Sequence, residues 1–222
     1  DRMKSNLQNK GQKRYQPFLF NKWRSVTSVL AVLLLLVVGV NQYGNSSNSK
    51  FVITAYADNG ISHELLKEKA TFDLVTMDRI GVINSISGGG NDLIFTDVLL
   101  QVSGENIDTI QYEINRGAFI EDVILTEQEY NNKEQLRQDK INYITTDPNS
   151  NIHQAIKEIG NTFTVKYSEQ AQTKYSLAVP PHNSVEDNIV IKVTVTYTDG
   201  DSEQQKIVVN QELDSISLVL DK

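Results

Sequence analysis

The stretch DGDSE places three acids, Asp199, Asp201 and Glu203, at alternate positions, which is how a calcium loop begins. An EF-hand-type loop also needs glycine at its sixth position and glutamate at its twelfth. Here those positions hold Gln204 and Asn210, so the stretch reads as a solvated turn. SGGGND (87–92) is glycine-rich, but no Lys-Ser/Thr pair follows, and the next segment is an apolar strand. A phosphate cradle needs the free N–H groups of a helix start, so this is a loop. The three histidines, His63, His153 and His182, share no motif spacing with one another or with an acid, and read as isolated surface residues. PPHN (180–183) reads as a rigid connection beside a strand end. No G-x-S-x-G elbow occurs, and the chain has no cysteine. That removes disulfides, cysteine-ligated zinc and cysteine nucleophiles. The sequence therefore yields no catalytic residue, no cofactor-binding residue and no metal ligand, and the expectation is a protein that is not an enzyme.

Charge is distributed unevenly along the chain. Residues 1–24 carry seven basic side chains against Asp1 alone, a net +6, while the remainder carries 14 basic and 27 acidic residues, a net −13. An acidic body does not supply the positive face that phosphate contacts require, which argues against nucleic acid as a partner. Residues 25–43, SVTSVLAVLLLLVVGVNQY, contain no charge. Nineteen residues in a helix span about 28 Å, close to the hydrocarbon thickness of a bilayer. Trp23 and Tyr43 sit at the two ends, and the basic cluster lies on the N-terminal side. Aromatic flanks and the positive-inside rule together predict one membrane span with the N-terminus in the cytoplasm. Residues 44–50 read as a polar linker, and residues 51–222 as an extracytoplasmic domain. The chain begins at Asp1 rather than Met, so the basic segment is expected to be truncated.

FVITAYADNG (51–60) contains Ala55-Tyr56-Ala57 before Asp58, the small-x-small pattern of a signal-peptidase site. Ala57 lies 17 residues beyond the end of the apolar core at Val40, too far for a site that normally follows closely. The same residues alternate as a strand covered on both faces would, and are read as the first strand of an anchored domain.

The elements behind it are mainly strands. KVTVTYTDG puts Val193, Val195 and Tyr197 on one face, Asp199-Gly200 supplies a turn, and KIVV returns. Residues 190–210 are thus a β-hairpin. SISLVLDK, TIQYEIN and TFTVKYS alternate likewise, and NDLIFTDVLLQVSG is long and apolar enough for a central strand. Thr126 and Glu129 stand at capping-box spacing before a nearly polar stretch (TEQEYNNKEQLRQDK), which predicts a surface helix or an excursion. SHELLKEKA (62–70) and NIHQAIKEIG (151–160) each read as about two helical turns. Closely spaced strands with turn signals predict a mainly β protein, an antiparallel β-sandwich-like domain with a few short helices. A division into two modules near residue 150 stays open.

The order of parts, together with FVITAYADNG and VLLQVSGENIDTIQYEINRGAFIED (98–122), resembles a group of single-pass Firmicute membrane proteins. In those, a strand ends at G-x-N-I, a second follows, and N-x-G-x-F comes next. Some of them resemble membrane-bound anti-sigma factors or their extracytoplasmic partners. The resemblance implies signalling, with a sigma factor or other cytoplasmic regulator bound inside and an envelope ligand or protein outside. The 24-residue inner segment is too short to fold a sigma-binding domain by itself. The alternative is an anchored extracytoplasmic binding or adhesion module with no signalling role.

Overall fold

The computed structural model describes residues 49–57, 60–77, 79–85, 91–147, 152–182 and 188–221. The basic segment 1–24, the apolar run 25–43, the linker up to residue 48 and most of the glycine-rich loop lie outside the described residues. Among the described residues no helix is long and apolar enough to cross a membrane.

The protein is mainly antiparallel β, in two sheets. The larger sheet runs β2 (Ser62–Glu64), β1 (Phe51–Tyr56), β5 (Asp92–Gly104), β11 (Ser176–Val179), β7 (Ala118–Leu125), β9 (Ile152–Gly160) and β8 (Ile141–Asp147). A further strand, β4 (Gly81–Asn84), pairs with the first half of β5. The smaller sheet runs β10 (Thr162–Lys166), β6 (Ile107–Ile114), β12 (Ile189–Tyr197), β13 (Ser202–Gln211), β14 (Ser215–Asp221) and β3 (Ala70–Asp73). Strands from before and after residue 150 interleave in both sheets.

One face of each sheet builds the main core, the arrangement of a sandwich. On β12 the expected face is buried: Val193, Val195 and Tyr197 join Ile191 and Ile189 in that core, while Lys192, Thr194 and Thr196 are half-exposed. The Asp199-Gly200 turn closes the hairpin, with the Tyr197 N–H donating to Asp201 O at 2.8 Å and the Gly200 N–H to Tyr197 O at 3.0 Å. FVITAYA is a strand as expected, and its Phe51, Ile53 and Ala55 are core residues.

The larger sheet does not stay flat. Its second face curls until β4 and β8 meet, with Phe95 and Tyr143 edge to face at 4.9 Å. This curl encloses a second small core of Ile83, Leu93, Phe95, Ala118, Ile120, Ile156 and Ala178. At its margin the buried Ser85 hydroxyl donates to buried Glu158 at 2.8 Å, and Arg79 pairs with Asp122. A third cluster forms where Leu136 of a short helix covers Leu125 and Ala155.

Two expected helices are strands or turns. NIHQAIKEIG spaces Ile152, Ala155, Ile156 and Ile159 as a helix would, yet it forms β9. The reason is burial on both faces: Ile156 lies in the second core, Ala155 in the third cluster and Ile159 against the main core. A doubly covered strand loses the simple alternation that marks an exposed one. SHELLKEKA gives β2 and a single turn, closed by the Lys67 and Glu68 N–H groups donating to Glu64 O. The polar excursion is two short helices, α1 (Glu127–Asn131) and α2 (Lys133–Gln138), and the Thr126/Glu129 capping box is formed.

Two corners carry the chain from one sheet to the other, and both fall on the motifs GENI and NRGAF. At the first, between β5 and β6, a Cβ on Gly104 would lie 2.9 Å from Lys50 O and from Ile107 Cδ1, and Asn106 adopts φ 56°. At the second, between β6 and β7, Asn115 accepts from the Val190 N–H at 2.7 Å and donates to Asn188 O at 3.1 Å. Gly117 there has φ 124°, and a Cβ on it would meet the Ala178 carbonyl oxygen at 2.5 Å.

The gap beside the last third of β5 is closed by a side chain. β11 pairs with β5 only up to Leu99. Beyond that, Gln170, from the 3-10 turn Tyr167–Gln172, takes the place of a strand. Its amide donates to Val102 O at 2.9 Å, and its carbonyl accepts from the Val102 N–H at 2.7 Å and from the Tyr112 hydroxyl at 3.1 Å. Burial, reinforced by Tyr56, pushes the Tyr112 phenol well above its ordinary value, so it stays a neutral donor.

Candidate functional site

The described residues gather titratable groups most tightly around His153. Strand register does this first. Leu125 of β7 pairs with His153 of β9, which pairs with Thr146 of β8, so the three stand in one row across three strands. The chain leaving Leu125 is then turned by the capping box, whose Thr126 hydroxyl receives the Glu129 N–H while the Glu129 carboxylate accepts from Thr126. That turn sets Glu127 and Tyr130, three residues apart on one helical face, over the end of the row.

His153 is 4% exposed, contrary to the expectation of an isolated surface residue. Its Nε2 lies 2.7 Å from Glu127 Oε2, and its Nδ1 lies 2.9 Å from Thr146 Oγ1. The Tyr130 ring lies parallel to the imidazole, with centroids 3.9 Å apart and 4° between planes, and Lys133 Nζ sits 4.3 Å from the Tyr130 centroid. A carboxylate only accepts, so Nε2 carries a proton; a neutral ring then accepts the Thr146 O–H at Nδ1. The hydrogen bond from His153, then that from Asn131, holds the Glu127 carboxyl below its usual range. The stability this contributes is full above the unfolded value of about 4.3 and is lost as pH falls through the lower folded value. Glu127→Gln should therefore flatten the acid limb of a melting-temperature profile below about pH 5. An unchanged limb would show that the contact does not persist in solution.

Chemically, hydroxyl, imidazole and carboxylate in this order are the group types of a nucleophile, base and orienting-acid triad. Here it joins three elements: α1, β9 and the edge strand β8. We read it first as a clasp that fixes the edge of the sheet.

The other sequence candidates are dispersed. His63, on β2, meets Glu68 at 2.9 Å and the edge of Phe72. His182 meets Gln211 O at 3.0 Å. Among the described residues no three His, Asp or Glu side chains are grouped to hold a metal ion. The DGDSE acids diverge: Asp199 caps the Asp201 N–H in the turn, while Glu203 accepts from the Tyr197 hydroxyl at 2.9 Å and from the Lys50 N–H at 3.1 Å.

That last contact belongs to a second cluster, which sequence reasoning missed. Gln205 donates to Ser49 Oγ at 2.6 Å and to Phe51 O at 2.9 Å, and Lys50 Nζ lies 5.4 Å from the Tyr197 ring centroid. Burial, then the bond to Glu203, raises the Tyr197 phenol above its ordinary range. Ser49 and Lys50, expected in the linker, are thus fastened to β13 of the smaller sheet just before the chain enters β1 of the larger. Register places both clusters at one end of the molecule. Phe51 pairs with Gly104; Leu99, Ser176 and Ile120 are level; and β7 runs on from Ile120 to Leu125 beside His153. We call this end the near pole.

The chain matches no protein-family model, no curated protein and no solved structure.

Proposed function

We propose that this is a single-pass membrane protein, N-terminus inside, whose acidic β-sandwich-like domain senses an envelope ligand or partner outside and reports it inward through one helix. The observation that carries the anchored reading is the placement of β1. Ala57, the last residue of the small-x-small pattern, is 2% exposed, and its N–H donates to Ile61 O at 3.0 Å. The six residues before it pair with β5, three of them also with β2, and Phe51, Ile53 and Ala55 lie in the main core. Cutting after Ala57 would remove an inner strand from a domain built around it, so the apolar run 25–43 is read as a retained anchor. The near-pole fastening supports the signalling half of the reading, because it ties the chain that leads from the helix to both sheets at once. The motifs that resemble those of single-pass Firmicute membrane proteins serve the sheet corners, so the link to a sigma factor rests on the order of parts.

Affinity purification of the protein with its native start, from its own membranes, tests this. An intact, membrane-bound product that brings a sigma factor or another cytoplasmic regulator with it is the expected result. A soluble product beginning at Asp58 overturns the anchor. An intact product whose partners all lie outside, and whose function survives exchange of residues 1–43 for another anchor, overturns signalling and leaves a binding module.

A further inference from the structure

The end of the molecule opposite the near pole carries the two most exposed large apolar side chains of the described residues, Val75 at 78% and Leu213 at 86%. Scattered apolar side chains on a surface are ordinary. These two are set apart by how they are held. Val75 sits in the 3-10 turn Leu74–Thr76, whose Asp73 carboxylate accepts the Val75 N–H at 2.8 Å. Leu213 sits at the tip between β13 and β14, closed by the Glu212 N–H donating to Ser215 O at 2.8 Å. The two turns are joined by the Leu74 N–H donating to Asp214 O at 2.8 Å, and His182 braces the second through Gln211 O at 3.0 Å. Both apolar side chains thus stand on backbone that is already in place, which lowers the ordering cost of binding.

The rim has one sign of charge. Asp73, Glu212 and Asp214 are exposed, and residues 70–77 and 211–215 contain no lysine or arginine. β13 is ten residues long and starts beside the fastened Lys50, so this far pole lies about 30 Å from the tether. An anionic lipid surface would meet three carboxylates there, and so would a second copy of the same pole; both are electrostatically disfavoured.

We infer that the far pole is a docking surface for a cationic protein segment, one that sets an apolar side chain between lysines or arginines. The segment's apolar group covers Val75 and Leu213, and its charges meet Asp73, Glu212 and Asp214. A patch this small gives weak, salt-sensitive binding of the transient kind.

The test uses the full chain in zwitterionic nanodiscs and a labelled peptide of alternating lysine and leucine as probe. The peptide should bind, protect residues 73–76 and 211–215 from hydrogen exchange, and weaken as salt rises. Val75→Ser with Leu213→Ser should weaken it by about tenfold, as should Glu212→Gln with Asp214→Asn, all with unchanged melting temperatures. The proposal is overturned if the serine pair binds as well as the parent, or if a glutamate–leucine peptide binds equally. It is also overturned if Leu213 instead governs flotation with anionic vesicles or dimer formation. A chain that will not enter the discs refutes the anchor alone, and the peptide assay then runs in solution.

Discussion

Gly117→Ala is expected to cost about 4 kcal/mol, a large share of the 5–15 kcal/mol by which a domain of this kind is held. Two effects add. The backbone at φ 124° is one that L residues rarely adopt, at about 1–3 kcal/mol. The new methyl would also be driven to 2.5 Å from the Ala178 carbonyl oxygen, and overpacking of this kind costs about 1–3 kcal/mol. Ala178 is backbone in the middle of the larger sheet, with β5 on one side and β7 on the other, so it cannot move aside as a side chain end would. Gly200→Ala is the control: its φ is 92°, and no heavy atom lies within 4 Å of the added Cβ. The difference between the two urea midpoints isolates the contact. Equal losses would mean that the β6–β7 corner does not press on β11 as described.

Gln170→Ala is the second large effect, at about 2–4 kcal/mol. It strips partners from both backbone groups of Val102, whose residue is buried, and from the hydroxyl of buried Tyr112. Each buried polar group left without a partner costs about 1–3 kcal/mol, and water admitted to the gap recovers part of that. Gln170→Glu discriminates the mechanism, because a carboxylate accepts from Val102 and Tyr112 but donates nothing to Val102 O. It should fall between parent and alanine at neutral pH. If alanine is as stable as the parent by chemical denaturation, Gln170 is not a surrogate strand.

Much of this fold is visible in the sequence where one face of a strand meets the core and the other meets water. Val193, Val195 and Tyr197 announce β12 in that way, and Asp199-Gly200 announces its turn. NIHQAIKEIG misled because it is buried twice. Ala155, Ile156 and Ile159 follow helical spacing only because three separate apolar clusters take one of them each, while Ile152 is exposed. No local pattern reveals that the larger sheet curls onto itself. The His153 cluster is harder still. Thr126 and Glu129 mark the helix that carries Glu127, but nothing in the spacing of Glu127, Thr146 and His153 says that the registers of three strands will align them. GENI and NRGAF are recognisable as motifs, yet their purpose, turning the chain between sheets, rests on distances to Lys50 and Ala178 that only the folded chain has. Ser49 and Lys50 look like linker because they are polar, and polarity does not reveal Gln205 waiting opposite.

That fastening decides how the domain answers a pull. Tension drawn through residue 50 runs along β1, whose six residues are laced side by side to β5. Load of that kind must break the rungs together rather than unzip them one at a time. The bonds from Gln205 and Glu203 to residues 49–51 lie outside those rungs and would part before them. Under tension the protein would first give up a short length of slack at its neck, while the sandwich behind it keeps its shape.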